Sequence, residues 1–419
     1  VVVNVSEKYK DKMPNWFSIL ENNEDIRRAV TLDDGTSALF CHIELDLKRG
    51  AYAGNFIRGD WLENVGMEVP TTVDELYEVL VAFRDQDPNK NGQPDKIPWV
   101  EDKGFAAIGV LAGSWGLIYQ DIQRDPNDPN KITYWPLVND GANFTDFITT
   151  LNKWYKEKLL DQEFASQDDS QREAKILSHQ GGFGFAYTVH YNTWSSTLKE
   201  TVPEAKMVGL KPLVGIAGKP YGTNHAHVRP AAPNEGNCIT VQAEKDGVID
   251  ACLKFIDYLY SEEGSTLINW GIEGVSYTVE PDGTKKWTDA ITNDPEFRLQ
   301  DKVFVYAIPT WGSWPKIMDY DAWASIELTT DEAKQAHENY WQADTGILVP
   351  PLLLSQQEGE RYSQIMTDVN TALSENFVKF VMGTRPLSEI SRLPQEIKDM
   401  GIEEAMEIYQ RAYDRYMAK

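Results

Sequence analysis

No run of about 18 uninterrupted apolar residues occurs anywhere in the chain, so no segment reads as a membrane-crossing helix. The apolar residues recur instead in short stretches with helical or strand spacing, and each such stretch must bury one face against a partner. At 419 residues the chain exceeds what one hydrophobic core usually serves, so two lobes or domains are the default expectation. Hydrophobic residues make up 42% and aromatics 11%, enough for packed interiors and too much for a disordered chain.

The spacing predicts a helix from Thr72. Thr72 with Glu75 three residues on forms a capping box, Pro70 lies just before it, and Leu76, Val79, Leu80 and Phe83 follow at helical intervals. Further helices are predicted at 143–157, 170–179, 247–260 and 401–417. The glycine-rich apolar run Gly181–Tyr187 reads as a buried strand, and 37–41, 54–57 and 238–241 read as short strands. Residues 201–239, rich in proline, otherwise read as loop. Strands interspersed with helices and no long linker point to α/β lobes packed together.

The net charge of −25 excludes nucleic acid as a partner class, because such a surface repels phosphate. It also disfavours anionic lipid and suits a neutral ligand. The cysteines Cys41, Cys238 and Cys252 are too few and scattered for a disulfide scaffold, and Cys252, on an apolar helical face, reads as a buried free thiol. The start, Val1 to Trp16, has no charged leader, long apolar core or cleavage site. The expectation is that a leader has been removed or that the numbering begins inside a longer chain.

No GxSxG, HExxH, P-loop or CxxC pattern occurs. His225 and His227 alternate as strand ligands would, but in a loop they read as solvated or hydrogen-bonding side chains. The 65 acidic residues offer many carboxylate pairs, and no spacing rule selects one as a glycosidase pair.

Two patterns do carry chemistry. Asp87, Asn89, Asn91 and Asp95 fall at positions 1, 3, 5 and 9 of a tight loop with Gly92 at position 6 and Gln93 offering its carbonyl at position 7. This is the first three-quarters of an EF-hand-type calcium loop, where alternate residues converge hard oxygens on one point. The competing reading is an Asn/Gly turn that stops the preceding helix. Lys96 stands where another acidic ligand would help and position 12 is Pro98, so the ion expected here is structural and weakly held. The second pattern is aromatic. Among 13 Trp and 19 Tyr, several sit beside small and polar residues: Trp115 between Ser114 and Gly116, the stretch Tyr187, His190, Tyr191 and Trp194, and Trp311 with Trp314. An aromatic plate edged by polar groups matches a sugar, whose C–H faces are rimmed by hydroxyls.

In order, several stretches resemble the family 1 extracellular solute-binding proteins, in the long oligosaccharide-binding branch that includes the LplA-type lipoproteins and the alginate-binding receptors. They are Ile57-Arg58-Gly59-Asp60-Trp61-Leu62; Pro70-Thr71 with Asp74-Glu75-Leu76; the 87–98 loop; 255–264; Trp270-Gly271 with Glu273-Gly274 and Tyr277; and Phe380 to Gly383 with Arg385 and Leu387. They span nearly the whole chain.

The resemblance implies an α/β fold of two periplasmic-binding lobes joined by hinge strands, with the ligand cleft between them. It implies an ABC importer's capture subunit, closing on an oligosaccharide and delivering it to membrane permease subunits. It further implies a monomer that binds no nucleic acid, is not an enzyme, and is either lipid-anchored on the extracellular face of the cytoplasmic membrane or periplasmic. Lobe one is then expected at 1–54 plus 240–345 and lobe two at 55–238 plus 350–419, with hinges near 53–56, 237–241 and 346–351. Family members begin with a further strand, helix and strand, so this numbering is expected to start after them. By position, Asp87, Asn89, Asn91, Gln93 through its carbonyl, and Asp95 would hold a structural Ca²⁺ outside the cleft, although the family has an acidic residue where Lys96 stands. The ligand wall is expected at Trp115, Tyr187, His190, Trp194, Arg229, Glu273, Tyr277, Trp311 and Trp314: aromatics stack, while Arg229, Glu273 and His190 meet hydroxyls or a carboxylate. For Glu273 and Tyr277 a structural turn after Trp270 is the competing reading. A secreted polysaccharide-degrading enzyme (glycosidase or lyase) and a rigid lectin module share the same acidity and aromatics.

Overall fold

Thr72 opens its helix as its spacing requires. Its hydroxyl accepts from the Glu75 N–H at 3.2 Å and the Glu75 carboxylate accepts from the Thr72 N–H at 3.1 Å. The helix Val73–Asp85 buries Leu76, Val79, Leu80 and Phe83 on one face. The other periodic segments become Ala142–Lys156, Asp169–Leu177, Ile249–Leu259 and Ile402–Ala418. The structure, a computed structural model, describes residues 2–32, 35–37, 39–231, 236–310 and 314–418.

Ten strands run through the described residues: β1 (His42–Ile43), β2 (Ala53–Arg58), β3 (Ile97–Trp99), β4 (Ile122–Asp125), β5 (Asp128–Tyr134), β6 (Gly181–Tyr187), β7 (Met207–Gly209), β8 (Tyr277–Val279), β9 (Lys285–Trp287) and β10 (Lys316–Ile317). The central sheet has the order β3-β6-β2-β7, with β3 parallel to β6 and the other pairs antiparallel. Two expectations differ. The 238–241 stretch makes only single bridges, Asn237 to Phe40 and Thr240 to Val2, because the chain turns into the helix Val241–Lys245 before a ladder can extend. The proline-rich 201–239 stretch contains β7, which reaches the sheet between Pro203 and Pro212 by pairing with β2.

A larger lobe forms on the central sheet. Its core joins Trp61, Phe83, Trp99 and Phe183 to Trp135 and Phe147, and closes against Phe377 and Phe380 of the long helix Gln356–Met382. In β6 the small residues are dictated by this packing. A Cβ on Gly182 would lie 2.6 Å from the Phe83 ring and 2.8 Å from that of Trp61, both wholly buried. Gly182→Ala should therefore lower stability by about 1 kcal/mol or more through overpacking, read as a shifted denaturant midpoint with unchanged slope; an unaltered midpoint would mean the rings yield freely.

Beside it, the 57–62 stretch buries a charge pair. Arg58 and Asp60 are 1% and 4% exposed and meet through Nε–Oδ1 at 2.8 Å and Nη2–Oδ2 at 2.6 Å, while Asp60 Oδ1 also accepts from the Lys206 N–H at 3.1 Å.

The smaller lobe gathers Val3, Met13, Trp16, Phe40 and Cys41 against Leu253 and Tyr260. Cys41, Cys238 and Cys252 form no disulfide, and Cys252 is half-buried at the rim of this core rather than inside it. Segments near 50–53, 220–224 and 344–347 run side by side. Asn224 Nδ2 donates to Gly50 O at 2.9 Å, and Gly222 N–H donates to Asp344 O at 2.9 Å. The helix Asp331–Tyr340 packs on the larger lobe: Ala333, Ala336 and Tyr340 join Tyr191, Trp194 and Met207, and the Tyr340 hydroxyl donates to Asn55 O at 3.2 Å.

Candidate functional site

The antiparallel register sets Ala53 opposite Tyr187, and the Thr188 N–H donates to Tyr52 O at 2.8 Å. This brings Tyr52 and Ala53 to the end of β6. The Tyr52 and Tyr187 rings lie parallel there, 6.1 Å apart between centroids and 9° between planes. Along β6 side chains alternate, so Phe185 shares a face with Tyr187 and meets it edge-on at 5.0 Å. Phe105 and Tyr119 complete an aromatic wall, edge-on to each other at 6.1 Å. Together with Thr223 and Asn224 they line a cavity of about 280 Å³. A narrower recess continues from it past Asn55, Lys211 and His227. The described residues lining the larger cavity carry no charge.

Tyr187 is 44% exposed, so its ring face is available. Behind it, His190 meets Tyr187 edge-on at 5.3 Å and stacks on Trp194 at 3.9 Å, with its Nδ1 accepting from the Tyr187 N–H at 3.3 Å. Trp194 Nε1 donates to Glu173 at 2.7 Å. The Arg172 guanidinium lies 5.6 Å from the Trp194 ring, pairs with Asp102 at 2.7 Å, and donates to Phe185 O at 2.8 Å. The Tyr187 plate is thus buttressed by a stack anchored through His190 Nδ1, Trp194 Nε1 and the Arg172 guanidinium.

Burial first, then the Arg172 charge, pulls the His190 imidazole down to about 4 from its ordinary 6.5. The unfolded chain takes up a proton near pH 6.5 that the folded protein refuses until about pH 4. The stabilisation is therefore complete above pH 6.5 and is lost as pH falls through that window. Melting temperature should fall less steeply with acidification in His190→Phe than in the unaltered protein; equal slopes would place the acid sensitivity elsewhere.

Of the residues expected at the ligand wall, the structure brings together Tyr187, His190 and Trp194, the last as a buried support. Trp115 is 2% exposed, packs on Phe147 at 5.0 Å and donates its Nε1 to Asp146 at 2.7 Å, so it belongs to the core. Arg229 follows the short turn His225–Val228 and acts electrostatically on Asp121 and Tyr409. Glu273 is exposed, and Tyr277 is buried against Trp270 at 5.9 Å in a turn of the smaller lobe. Trp314 is 48% exposed outside the cavity lining, and Trp311 lies outside the described residues. Tyr52, Phe105, Tyr119, Phe185 and Asn224 were not legible as site residues; only Phe185 carried a signal, its period-two relation to Tyr187.

In the 87–98 loop, Lys90 and Gly92 take φ of +52° and +69°, which closes the turn. Asp87 Oδ2 accepts from the Gly92 N–H at 2.9 Å, and Asn91 Oδ1 accepts from the Gln93 N–H at 2.9 Å. Asn89 Nδ2 donates to His179 O at 3.0 Å, tying the loop to the start of β6. No cluster of three or more His, Cys, Asp or Glu able to hold a metal occurs among the described residues.

A family model for bacterial extracellular solute-binding proteins matches residues 24–266. The chain is similar to the fructooligosaccharide ABC transporter substrate-binding protein FusA of Streptococcus pneumoniae serotype 4, 22% identical with 100% of this chain and 77% of that protein covered. The solved FusA–kestose complex shares the fold at a TM-score of 0.75 and 20% identity, covering 100% of this chain and 84% of that one. Lipoprotein LipO of Bacillus subtilis is 28% identical over 54% of this chain and 44% of its own length. The alginate-binding protein AlgQ2, solved without calcium ion, superposes at a TM-score of 0.75 with 23% identity, covering 99% of this chain and 82% of that one. These likenesses identify the fold as the two-lobed periplasmic-binding type.

Proposed function

The chain belongs to the bacterial extracellular solute-binding proteins, and from that premise we propose that it captures an uncharged oligosaccharide for an ABC importer. One observation carries the reading: the cavity at the lobe crossings is walled by Tyr52, Phe105, Tyr119, Phe185 and Tyr187, with no charged side chain among its described lining residues. Aromatic faces stack on sugar C–H faces, and Thr223 and Asn224 supply polar edges. FusA, solved with kestose, supports a short oligosaccharide as the ligand class. The chain charge of −25 favours a neutral ligand over a polyuronate.

The proposed lobes are a larger one from 53–221 and 344–418 and a smaller one from 2–50 and 224–319, with the 320–340 helices seated between them. The crossings 50–53, 220–224 and 344–347 serve as hinge. A ligand touching both lobes only in the closed form shifts the equilibrium toward closure, and the closed surfaces are what permease subunits would read. No bond is broken in this cycle. The proposed location is the outer face of the cytoplasmic membrane, held by a lipid as the name of LipO supports for that relative.

Calorimetric titration with neutral and uronic-acid oligosaccharides, with the same mixtures assayed for product, tests the reading. Saturable one-to-one binding of a neutral oligosaccharide without product is the expected result. Product formation would make the chain an enzyme, and binding confined to acidic sugars would overturn the uncharged-ligand assignment.

A further inference from the structure

The 87–98 loop was expected to hold calcium, and its oxygens do converge. What they converge on is the side chain of Lys96. The Lys96 ammonium lies 2.5 Å from Asp87 Oδ1, 2.8 Å from Asn91 Oδ1 and 3.6 Å from Asp95 Oδ1, and it also donates to the Gln93 carbonyl. Four of the five groups expected as metal ligands therefore face one ammonium, whose side chain is only 6% exposed. The fifth, Asn89, spends its amide on His179 O, and its Oδ1 has no hydrogen-bond partner.

We propose that the Lys96 ammonium is the resident cation of this loop, so that the protein carries its own replacement for calcium and does not take up the ion there.

The chemistry fits an ammonium better than Ca²⁺. An ammonium has three donors and is satisfied by the three near oxygens. Calcium requires six to eight oxygens at about 2.3–2.6 Å, and position 12, where a bidentate carboxylate belongs, is Pro98. Lys96 also sits one residue before β3, so its stem enters the loop from the sheet and does not have to be recruited from solvent. The contact with Lys96 is the leading cause that holds the Asp87 carboxyl below its ordinary range. The loop in turn ties the end of the helix Val73–Asp85 to the residues entering β6 through the Asn89–His179 bond, and to Asn64, whose amide donates to Pro88 O at 2.7 Å. The mismatch is thus with the metal and not with the loop, whose fold the ammonium completes.

The test uses the whole protein and calcium chloride alone, independent of any sugar. Calorimetric titration of the unaltered chain should show no saturable calcium binding up to about 10 mM, above the range of weak extracellular sites, and melting should be identical in calcium and in chelator. One-to-one binding, or a calcium-dependent rise in melting temperature, would overturn the proposal. Lys96→Met keeps the stem and removes the charge. It should melt lower by several degrees, and an unchanged melting temperature would mean that the ammonium does nothing for the loop. Lys96→Asp should melt low in chelator and recover in calcium; a variant indifferent to calcium would show that the oxygens do not form a cation cradle.

Discussion

Asp60→Ala should cost about 3–5 kcal/mol of folding stability, because it strands a buried guanidinium with no counter-ion. Arg58 and Asp60 are fully enclosed, joined by two charge-assisted bonds, and roofed by the Trp61 ring 5.3 Å from the guanidinium. The outcome differs when both charges go. An Arg58→Met/Asp60→Ala double variant should recover most of the loss, since removing both charges avoids desolvating two ions. Recovery should be incomplete, because the Lys206 N–H loses its acceptor. Equilibrium denaturation of both variants measures this directly; an Asp60→Ala variant within about 1 kcal/mol of the unaltered protein would mean that water reaches Arg58.

Tyr187→Ala should weaken oligosaccharide binding about 100-fold, roughly 2.7 kcal/mol, as removal of a central aromatic anchor does. Its ring is 44% exposed and stands on the His190–Trp194 stack, so folding stability should change little. Trp115→Phe should do the reverse. It removes a buried indole and its bond to Asp146 without touching the cavity, lowering stability and leaving affinity intact. Calorimetry paired with thermal melting on both variants separates the plate from the core. Undiminished affinity in Tyr187→Ala would place the sugar elsewhere.

These two aromatics show what was legible in the sequence and what was not. Trp115 and Tyr187 both stand beside small and polar residues, and local composition does not separate them. Their fates are decided by distant partners: Phe147 and Asp146 enclose one ring, while the pairing of β2 with β6 leaves the other at a cavity edge. Tyr52 is illegible in the sequence for the same reason, since only the register that sets Ala53 against Tyr187 makes it a site residue. Features written within one turn of chain were readable in full. The Thr72 capping box and the apolar face of Val73–Asp85 need no partner to be recognised. The 87–98 loop lies between these cases: its oxygen spacing is local, whereas the path of the Lys96 side chain into its centre depends on where β3 begins. The helix Asp331–Tyr340 is local in its periodicity, but its seat on β7 and Tyr191 is set by close approaches such as Gly209 to Ala336, where an added Cβ would lie 2.4 Å away.

The larger lobe is closed by Phe377, Phe380, Ile397 and Tyr413, residues that follow every strand of the central sheet in the chain. A ribosome delivers the sheet before residues 224–319, and those before Phe377, the aromatic lid for Phe105, Tyr119 and Trp135. At about 5–20 residues per second, the nascent sheet waits many seconds with that apolar surface uncovered. Until Phe377 is made, the face at Phe105, Tyr119 and Trp135 is therefore the surface most in need of a chaperone.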